Sequence, residues 1–198
     1  MKKAIFIDKD GTLIRNVPYN VDPQKITLEY GAIEGLQLLQ RKGYSLIVIS
    51  NQAGIAHGYF KEADMQPVIS TIRQLLGDAD IRLDGFYYCP HHPAGKIAGY
   101  TTSCSCRKPA PGMILKAAKE SGIALRESWM IGDILHDVEA GNRAGCRSVL
   151  INNGNETVWD MNQHSKPTLI AKDLLEAAQF IANHSLTNEK VWNSYIRH

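Results

Sequence analysis

Short apolar runs that each end in polar residues recur along the chain and constrain its fold more than any other feature. They lie at Ala4–Ile7, Tyr44–Ile49, Leu83–Tyr88, Trp129–Ile131 and Cys146–Ile151. Each run predicts a strand, and the run at Leu83–Tyr88 is of mixed apolar and aromatic character. Helical patterns lie between them at 31–42, 61–76 and 136–144, and residues 169–181 suit a final strand end and helix. Alternation of strands and helices predicts a three-layer α/β fold built on a parallel sheet.

Two carboxylates follow the first of these strands. Asp8 and Asp10 would point the same way from an extended backbone, and Gly11 then allows a sharp turn. Two like charges this close repel unless a cation or a shared proton intervenes, so the pair indicates a hard divalent metal. One Asp could attack as a nucleophile while the other gives and takes protons. The alternative is a strand that merely ends in a polar turn.

Three later segments add polar groups at the same predicted edge, where open parallel sheets carry their sites. Ser50 supplies a hydroxyl, and the N–H groups after it could line an anion pocket. Lys108 could offset the charge of a phosphoryl group, and the Arg107 fork could grip a substrate phosphate. Asp133 offers a third carboxylate for magnesium. Asp137 could ligate the metal indirectly, cap a helix or orient Lys108, and we favour an orienting or structural role.

Three of the four cysteines fall in one loop rich in Pro, Gly and Ser. Cys89, His91, Cys104 and Cys106 form two close pairs that suit tetrahedral zinc. His92 competes for the imidazole position, and His91 is preferred because it gives a Cys-x-His spacing. Four protein ligands would close the coordination sphere and make the zinc structural, a staple for loop 89–106. Scattered cysteines without metal are the alternative.

The bulk properties exclude several classes of protein. A net charge of +2 with no block of Lys or Arg argues against nucleic-acid binding. No apolar stretch approaches the ~20 residues of a membrane helix, and the apolar run after Met1 is too short for a signal peptide. The cytoplasm is therefore expected. Cys146, which stands alone near a strand, is expected to be a small buried hydrophobe.

The 198 residues predict a single domain. The polar segment 14–30 and loop 89–106 are both too short to form a separate cap domain, so they would shape an open pocket instead. Residues 183–198 could be a flexible tail or an extra docked helix.

The order of the motifs is similar to that of the haloacid dehalogenase phosphatases. It runs Asp8-x-Asp10, Ser50, Lys108, Gly132-Asp133-x-x-x-Asp137. Within that superfamily, about residues 3–151 resemble the branch of histidinol-phosphate and heptose-bisphosphate phosphatases. The strings that carry this resemblance are Ser50-Asn51-Gln52-Ala53-Gly54-Ile55-Ala56, Tyr87-Tyr88-Cys89-Pro90-His91-His92-Pro93 and Cys104-Ser105-Cys106-Arg107-Lys108-Pro109.

The resemblance implies a Rossmann-like fold and a role for each site residue. Asp8 would be the nucleophile and Asp10 the acid/base, and Asp8, the Asp10 carbonyl and Asp133 would hold a catalytic Mg²⁺. Ser50 and Lys108 would stabilise the phosphoryl group, and Arg107 would help to recognise the substrate. Further substrate contacts would come from Asn16, Tyr19, Asn51 and Gln52.

The substrate implied by the resemblance is a small phosphorylated sugar, and the protein is expected to be a monomer. Heptose bisphosphate is the first candidate and histidinol phosphate the second. The chain departs from the heptose enzymes at Ile134, where they carry a Lys that touches substrate, and this leaves the anomer open. A non-catalytic zinc-binding scaffold is the rival class. It should have lost one of the reactive residues, yet Asp8, Asp10, Lys108 and Asp133 are all present.

Overall fold

The computed structural model describes residues 2–184, which contain six strands and six α-helices. The strands are β1 (Lys3–Ile7), β2 (Tyr44–Asn51), β3 (Gly85–Cys89), β4 (Trp129–Gly132), β5 (Arg147–Ile151) and β6 (Leu169–Ala171). The helices are α1 (Ala32–Arg41), α2 (Ala53–His57), α3 (Met65–Gly77), α4 (Gly112–Ser121), α5 (Leu135–Ala144) and α6 (Leu174–Asn183). None of these helices has the length and hydropathy needed to cross a lipid bilayer. The predicted tail 183–198 lies outside the described residues from position 185 onward.

All neighbouring strands are parallel, in the order β3-β2-β1-β4-β5-β6. After β1 the chain builds the sheet outward through β2 and β3, and it then returns to add β4 on the other side of β1. The order therefore reverses between β1 and β4. A crevice forms at the carboxyl ends of the strands at such a switch point, and ligands bind there in open α/β sheets.

Successive side chains of β1 point to opposite faces of the sheet, and helices pack against both faces. Ile5 and Ile7 belong to one core, which α1, α3 and α6 complete. Ala4 and Phe6 belong to a second core, to which α4 and α5 contribute. The predicted three-layer α/β fold with a parallel sheet is thus confirmed.

The structure adds two helices that the sequence analysis did not assign and adjusts a third. Helix α2 follows β2 directly, and α4 lies between loop 89–106 and β4. The helix expected at 61–76 begins at Met65, after a short 3-10 turn at Glu62–Asp64. Pro67 consequently falls in the first turn of α3, where a backbone N–H has no partner inside the helix.

Within residues 2–184 no separate cap domain covers the crevice. Segment 14–30 folds back on itself, with Arg15 N donating to Thr27 O (2.9 Å) and Glu29 N to Leu13 O (3.0 Å). Loop 89–106 is tied to α2, because the backbone N–H groups of Lys96 and Ile97 both donate to Ala56 O (2.6 and 2.9 Å).

Candidate active site

The carboxyl ends of β1 and β4 bring Asp8 and Asp133 to the switch point. Both are buried, with 7% and 4% of their surface exposed. Buried carboxylates require a cation or hydrogen-bond donors, because water no longer solvates them. The arrangement therefore favours a bound cation in the crevice.

Lys108 lies between two of these acids. Its Nζ forms ion pairs with Asp8 and with Asp137 Oδ1 (2.6 Å), and it donates a hydrogen bond to Ile49 O (2.9 Å). The backbone of Lys108 is clamped by Asn51, whose amide donates to Lys108 O and accepts from Lys108 N, both at 3.0 Å. Of the three roles considered for Asp137, the contacts favour two: Oδ1 orients the Lys108 ammonium, and Oδ2 accepts from Ile134 N (3.3 Å) and so caps the start of α5.

Burial and charge shift the pKa values of this group. Burial raises the pKa of Asp8 well above its ordinary value, although the neighbouring Lys108 charge opposes the shift. Burial alone would lower the pKa of Lys108, but the Asp137 and Asp8 carboxylates raise it instead, so the ammonium keeps its proton. Burial also raises the pKa of Asp133, although the hydrogen bonds that Asn155 and Asn153 donate to this carboxylate oppose the shift. A further cation bound beside Asp8 and Asp133 would favour their ionised forms and so lower their pKa values.

One carboxylate oxygen from each of Asp8, Asp133 and Asp137 lies within 4.8 Å of the corresponding oxygens of the other two. Hard oxygen donors at this spacing fit a magnesium ion, which prefers a few carboxylates and keeps positions for water or phosphate oxygens. The Asp10 carboxylate is engaged elsewhere. It accepts from Lys9 Nζ (2.8 Å) and from Gln52 Nε2 (3.1 Å), and Gln52 also donates to Ser50 Oγ (2.8 Å).

A pocket of about 270 Å³ opens beside Asp10. Its walls include most of the residues predicted to contact substrate, namely Asn16, Tyr19, Asn51, Gln52 and Arg107. Tyr19 is unusual because its backbone is left-handed (φ 55°) and the residue is 54% exposed. The ring packs edge-on against Tyr59, with centroids 4.5 Å apart. An aromatic wall of this kind suits the apolar edge of an organic substrate.

The four predicted zinc ligands meet in one cluster. Sγ atoms of Cys89, Cys104 and Cys106 lie 3.0–3.5 Å apart, and His91 Nδ1 lies 3.4 Å from Cys106 Sγ and 3.6 Å from Cys89 Sγ. Donors around a tetrahedral zinc stand about 3.8 Å apart, so the cluster fits that ion after a small expansion. His92 lies outside the cluster, with its Nδ1 accepting a hydrogen bond from Ala94 N.

The three thiols of the cluster do not share one pKa shift, because burial raises the pKa of Cys89 and of Cys106 whereas the pKa of Cys104 is lowered. Burial favours the neutral form of Cys104, but hydrogen bonds from Cys106 and from the backbone outweigh it and lower the pKa of Cys104 to about 7. A thiol that ionises easily is a good metal ligand. Burial raises the pKa of Cys146 to about 12, in agreement with the prediction of an inert core residue.

Three polar residues near the site were absent from the predicted set. Lys9 is only 2% exposed and pairs with Asp10, and its position between the two acids was the available signal. Asn153 and Asn155 follow β5 and donate to Asp133 Oδ2 at 3.5 and 2.7 Å. The polar end of β5 was visible in the sequence, but nothing local links it to Asp133.

Known proteins share both the sequence and the fold. A family profile described as HAD-hydrolase-like matches residues 105–177. A D-glycero-beta-D-manno-heptose-1,7-bisphosphate 7-phosphatase of Pasteurella multocida is 43% identical over 161 residues, which cover 81% of this chain and 87% of that protein. The same-named protein of Escherichia coli K12 is 40% identical over 76% of this chain and 80% of its own length.

Two solved structures superpose over 91% of the chain. One is a putative HAD-like phosphatase from Mesorhizobium loti, with a TM-score of 0.78, 30% identity and 87% of its own chain covered. The other is a D,D-heptose 1,7-bisphosphate phosphatase from B. bronchiseptica in complex with magnesium and phosphate, with a TM-score of 0.78, 26% identity and 98% coverage. The fold and the crevice at its switch point define a HAD-like hydrolase. Within that class, the chain belongs to the family of D-glycero-beta-D-manno-heptose-1,7-bisphosphate 7-phosphatases.

Proposed function

We propose that this protein hydrolyses a sugar phosphate through an aspartyl-phosphate on Asp8. The observation that carries the proposal is the position of Asp8, a buried carboxylate paired with the Lys108 ammonium at the switch point. Such a pair supplies a nucleophile beside a fixed positive charge. Asp10, next to the pocket, then serves as the proton donor and acceptor.

In the first step a carboxylate oxygen of Asp8 forms a bond to phosphorus as the bond to the leaving oxygen breaks. Asp10 gives its proton to that leaving alkoxide. In the second step Asp10 takes a proton from water, whose oxygen attacks phosphorus and releases Asp8. Lys108 and the Ser50 hydroxyl stabilise the negative charge on the transferring group in both steps.

We propose Asp8, the Asp10 backbone carbonyl and Asp133 as the residues that hold a catalytic Mg²⁺. When bound, this ion would neutralise charge on the phosphoryl oxygens. Support comes from the buried carboxylates of Asp8 and Asp133 and from the magnesium named in the B. bronchiseptica structure. Asp137 is assigned instead to the orientation of Lys108, as the sequence analysis favoured.

We further propose a structural Zn²⁺ held by Cys89, His91, Cys104 and Cys106. The close approach of these four donors supports it, and four protein ligands leave no open position for a reacting group. Its role would be to order loop 89–106, whose composition provides little core of its own.

The proposed substrate is D-glycero-beta-D-manno-heptose 1,7-bisphosphate, with loss of the 7-phosphate. The curated relatives carry the name of that activity, and the pocket beside Asp10 is open enough to admit a phosphorylated sugar. Asn16, Tyr19 and Gln52 would contact the sugar, and Arg107 would bind the phosphate that is retained. The side-chain amide of Asn51 already binds the Lys108 backbone, so its contribution to binding would be indirect.

A panel of phosphate monoesters tests this proposal. The two anomers of the heptose bisphosphate, histidinol phosphate and an aryl phosphate would be compared by kcat/KM with Mg²⁺ present. We expect the beta bisphosphate to exceed each of the others by about tenfold or more. A preference for histidinol phosphate would change the substrate, and no turnover with any divalent metal would refute the enzyme itself.

Two accompanying proposals concern the setting of the enzyme. Cytoplasmic location is supported by the four free cysteines, since a reducing compartment keeps thiols available for metal. A monomer remains the working prediction, and size-exclusion chromatography with light scattering would test it.

A further inference from the structure

The loop after β5 reaches across the switch point and contacts both sides of the proposed magnesium site. Asn155 Nδ2 donates to Asp133 Oδ2 at 2.7 Å. Asn153 Nδ2 donates to Gly11 O at 2.6 Å and approaches the same Asp133 oxygen at 3.5 Å. We call Asn153 and Asn155 the asparagine clip. One short segment thus joins the loop of the nucleophile to the carboxylate at the end of β4.

The clip is itself held in place. Asn155 N donates to Asn153 Oδ1 (3.0 Å), so the two residues fix each other. The next residue, Glu156, accepts a hydrogen bond through Oε2 from Leu135 N (2.7 Å), at the first turn of α5. Because α5 begins two residues after Asp133, this contact anchors the clip to the same turn that carries the acid.

Gly11 packs closely against the side chains of Asp133 and Asn155. Gly11 has a φ of +87°, and a Cβ placed there would stand 2.2 Å from Asp133 Oδ2 and 2.5 Å from Asn155 Nδ2. Only a residue without a side chain leaves room for this contact. The amide–carboxylate hydrogen bond is therefore built into the loop that carries Asp8 and Asp10.

Amide donors on one oxygen of a carboxylate restrict how that carboxylate can bind a metal. With its Oδ2 facing the clip, Asp133 has Oδ1 left as its freer oxygen, which accepts a long hydrogen bond from Thr12 Oγ1 (3.4 Å). Outer hydrogen-bond partners of this kind orient metal-binding side chains, and their loss typically weakens metal binding about 10–100-fold.

We propose that Asn155, supported by Asn153, is a positioning residue that fixes Asp133 for one-oxygen binding of Mg²⁺. The proposal rests on the function proposed above, because it requires that Asp133 bind magnesium. It assigns Asn155 no contact with the substrate.

The test is titration of the full-length protein with Mg²⁺ alone, by calorimetry and by thermal shift. Desalting rather than chelation would be used to prepare the protein, so that a metal on the cysteines is retained. Asn155→Ala should weaken Mg²⁺ binding about 10–100-fold. Asn153→Ala should give a smaller loss, since its amide is the more distant donor to Asp133.

Asn152→Ala is the matched control. It removes the same type of side chain from an exposed position of the same loop. In activity assays of Asn155→Ala, the Mg²⁺ concentration for half-maximal rate should rise in proportion to the dissociation constant for Mg²⁺. The kcat at saturating Mg²⁺ should change much less.

The outcomes separate this inference from the function on which it rests. Equal Mg²⁺ affinity in wild type and Asn155→Ala would overturn the positioning role and leave the phosphatase intact. A fall in melting temperature of the metal-free protein with unchanged Mg²⁺ affinity would show that the clip is purely structural, and would also overturn it. A wild-type protein that neither binds Mg²⁺ nor hydrolyses phosphate esters would remove both proposals.

Discussion

Replacing Lys108 with Met tests whether one buried ammonium holds the active site together. Met keeps most of the length of the side chain and removes its charge. Only 2% of the Lys108 side chain is exposed. The exposed fraction is 10% for the side chain of its partner Asp8 and 0% for that of Asp137. The variant would leave two carboxylates facing each other in a buried site without a cation between them.

The expected loss of stability in Lys108→Met follows from the ion pairs that Lys108 makes. Opposite charges 2.6 Å apart, as in the pair with Asp137, attract by about 6 kcal/mol at an effective dielectric constant of about 20. Removing the ammonium also removes its own desolvation cost, so the net loss for breaking a buried pair is about 3–5 kcal/mol. In a protein of this size that corresponds to a melting temperature lower by about 6–20 °C.

The dependence of this loss on pH has a definite sign. Burial already raises the pKa of Asp8, and removing Lys108 would raise it further. A folded-state pKa above the unfolded value gives stability that is present at low pH and is lost as the pH rises through the folded value. The destabilisation of Lys108→Met should therefore be larger at about pH 8 than at about pH 5.

Urea unfolding at several pH values would measure the loss, with Lys119→Met as the control. Lys119 is an exposed residue of α4, and its replacement should change stability by no more than about 0.5 kcal/mol. In assays, Lys108→Met should lower kcat about 10²–10³-fold on every phosphate ester, because each needs its transition-state charge stabilised. A loss of stability below about 1 kcal/mol at pH 8 would refute the reasoning about the buried pair.

Three further predictions address the other proposed roles. Asp8→Asn removes the attacking charge, so turnover should fall by about 10⁴-fold or more while circular dichroism stays native, and activity within tenfold of wild type would contradict the assignment. Cys104→Ser should lower zinc content and melting temperature together, since metal binding and loop ordering form one equilibrium; one zinc per chain with an unchanged melting temperature would count against a structural metal. Arg107→Ala should mainly raise KM for the bisphosphate and affect an aryl phosphate much less, and equal losses on both substrates would show that Arg107 serves the reacting group instead.

The strands and the acids at their ends were predictable because a parallel sheet leaves a simple signature. Its strands are buried on both faces, so they are short apolar runs, and the residue after each run lies at the common edge. This places Asp8, Ser50 and Asp133 without knowledge of any contact. The paired Cys and His residues and the basic residues after them extended the prediction to the zinc loop and to Lys108. The resemblance then implied the role of each residue, which a pattern of hydrophobicity does not encode.

What could not be predicted depends on tertiary contacts or on weak local signals. Helix α4 has buried residues at Met113, Ile114, Ala117 and Ala118, but two of these are alanines, so its apolar stripe is faint. The asparagine clip lies 20 and 22 residues beyond Asp133, in a polar loop typical of an ordinary turn. Only the pairing of β5 beside β4 brings it to the carboxylate.

Loop 89–106 leads directly into Arg107 and Lys108, and the contacts that hold these two residues in place differ in strength. Lys108 lies two residues after Cys106, but its backbone is also clamped by Asn51 and its ammonium by buried acids. Arg107 makes one long hydrogen bond, from Nη1 to His91 O (3.5 Å), and His91 is itself a proposed zinc ligand. Loss of the metal would therefore displace Arg107 more readily than Lys108. The zinc loop should accordingly govern the binding of the retained phosphate more than the rate of phosphoryl transfer.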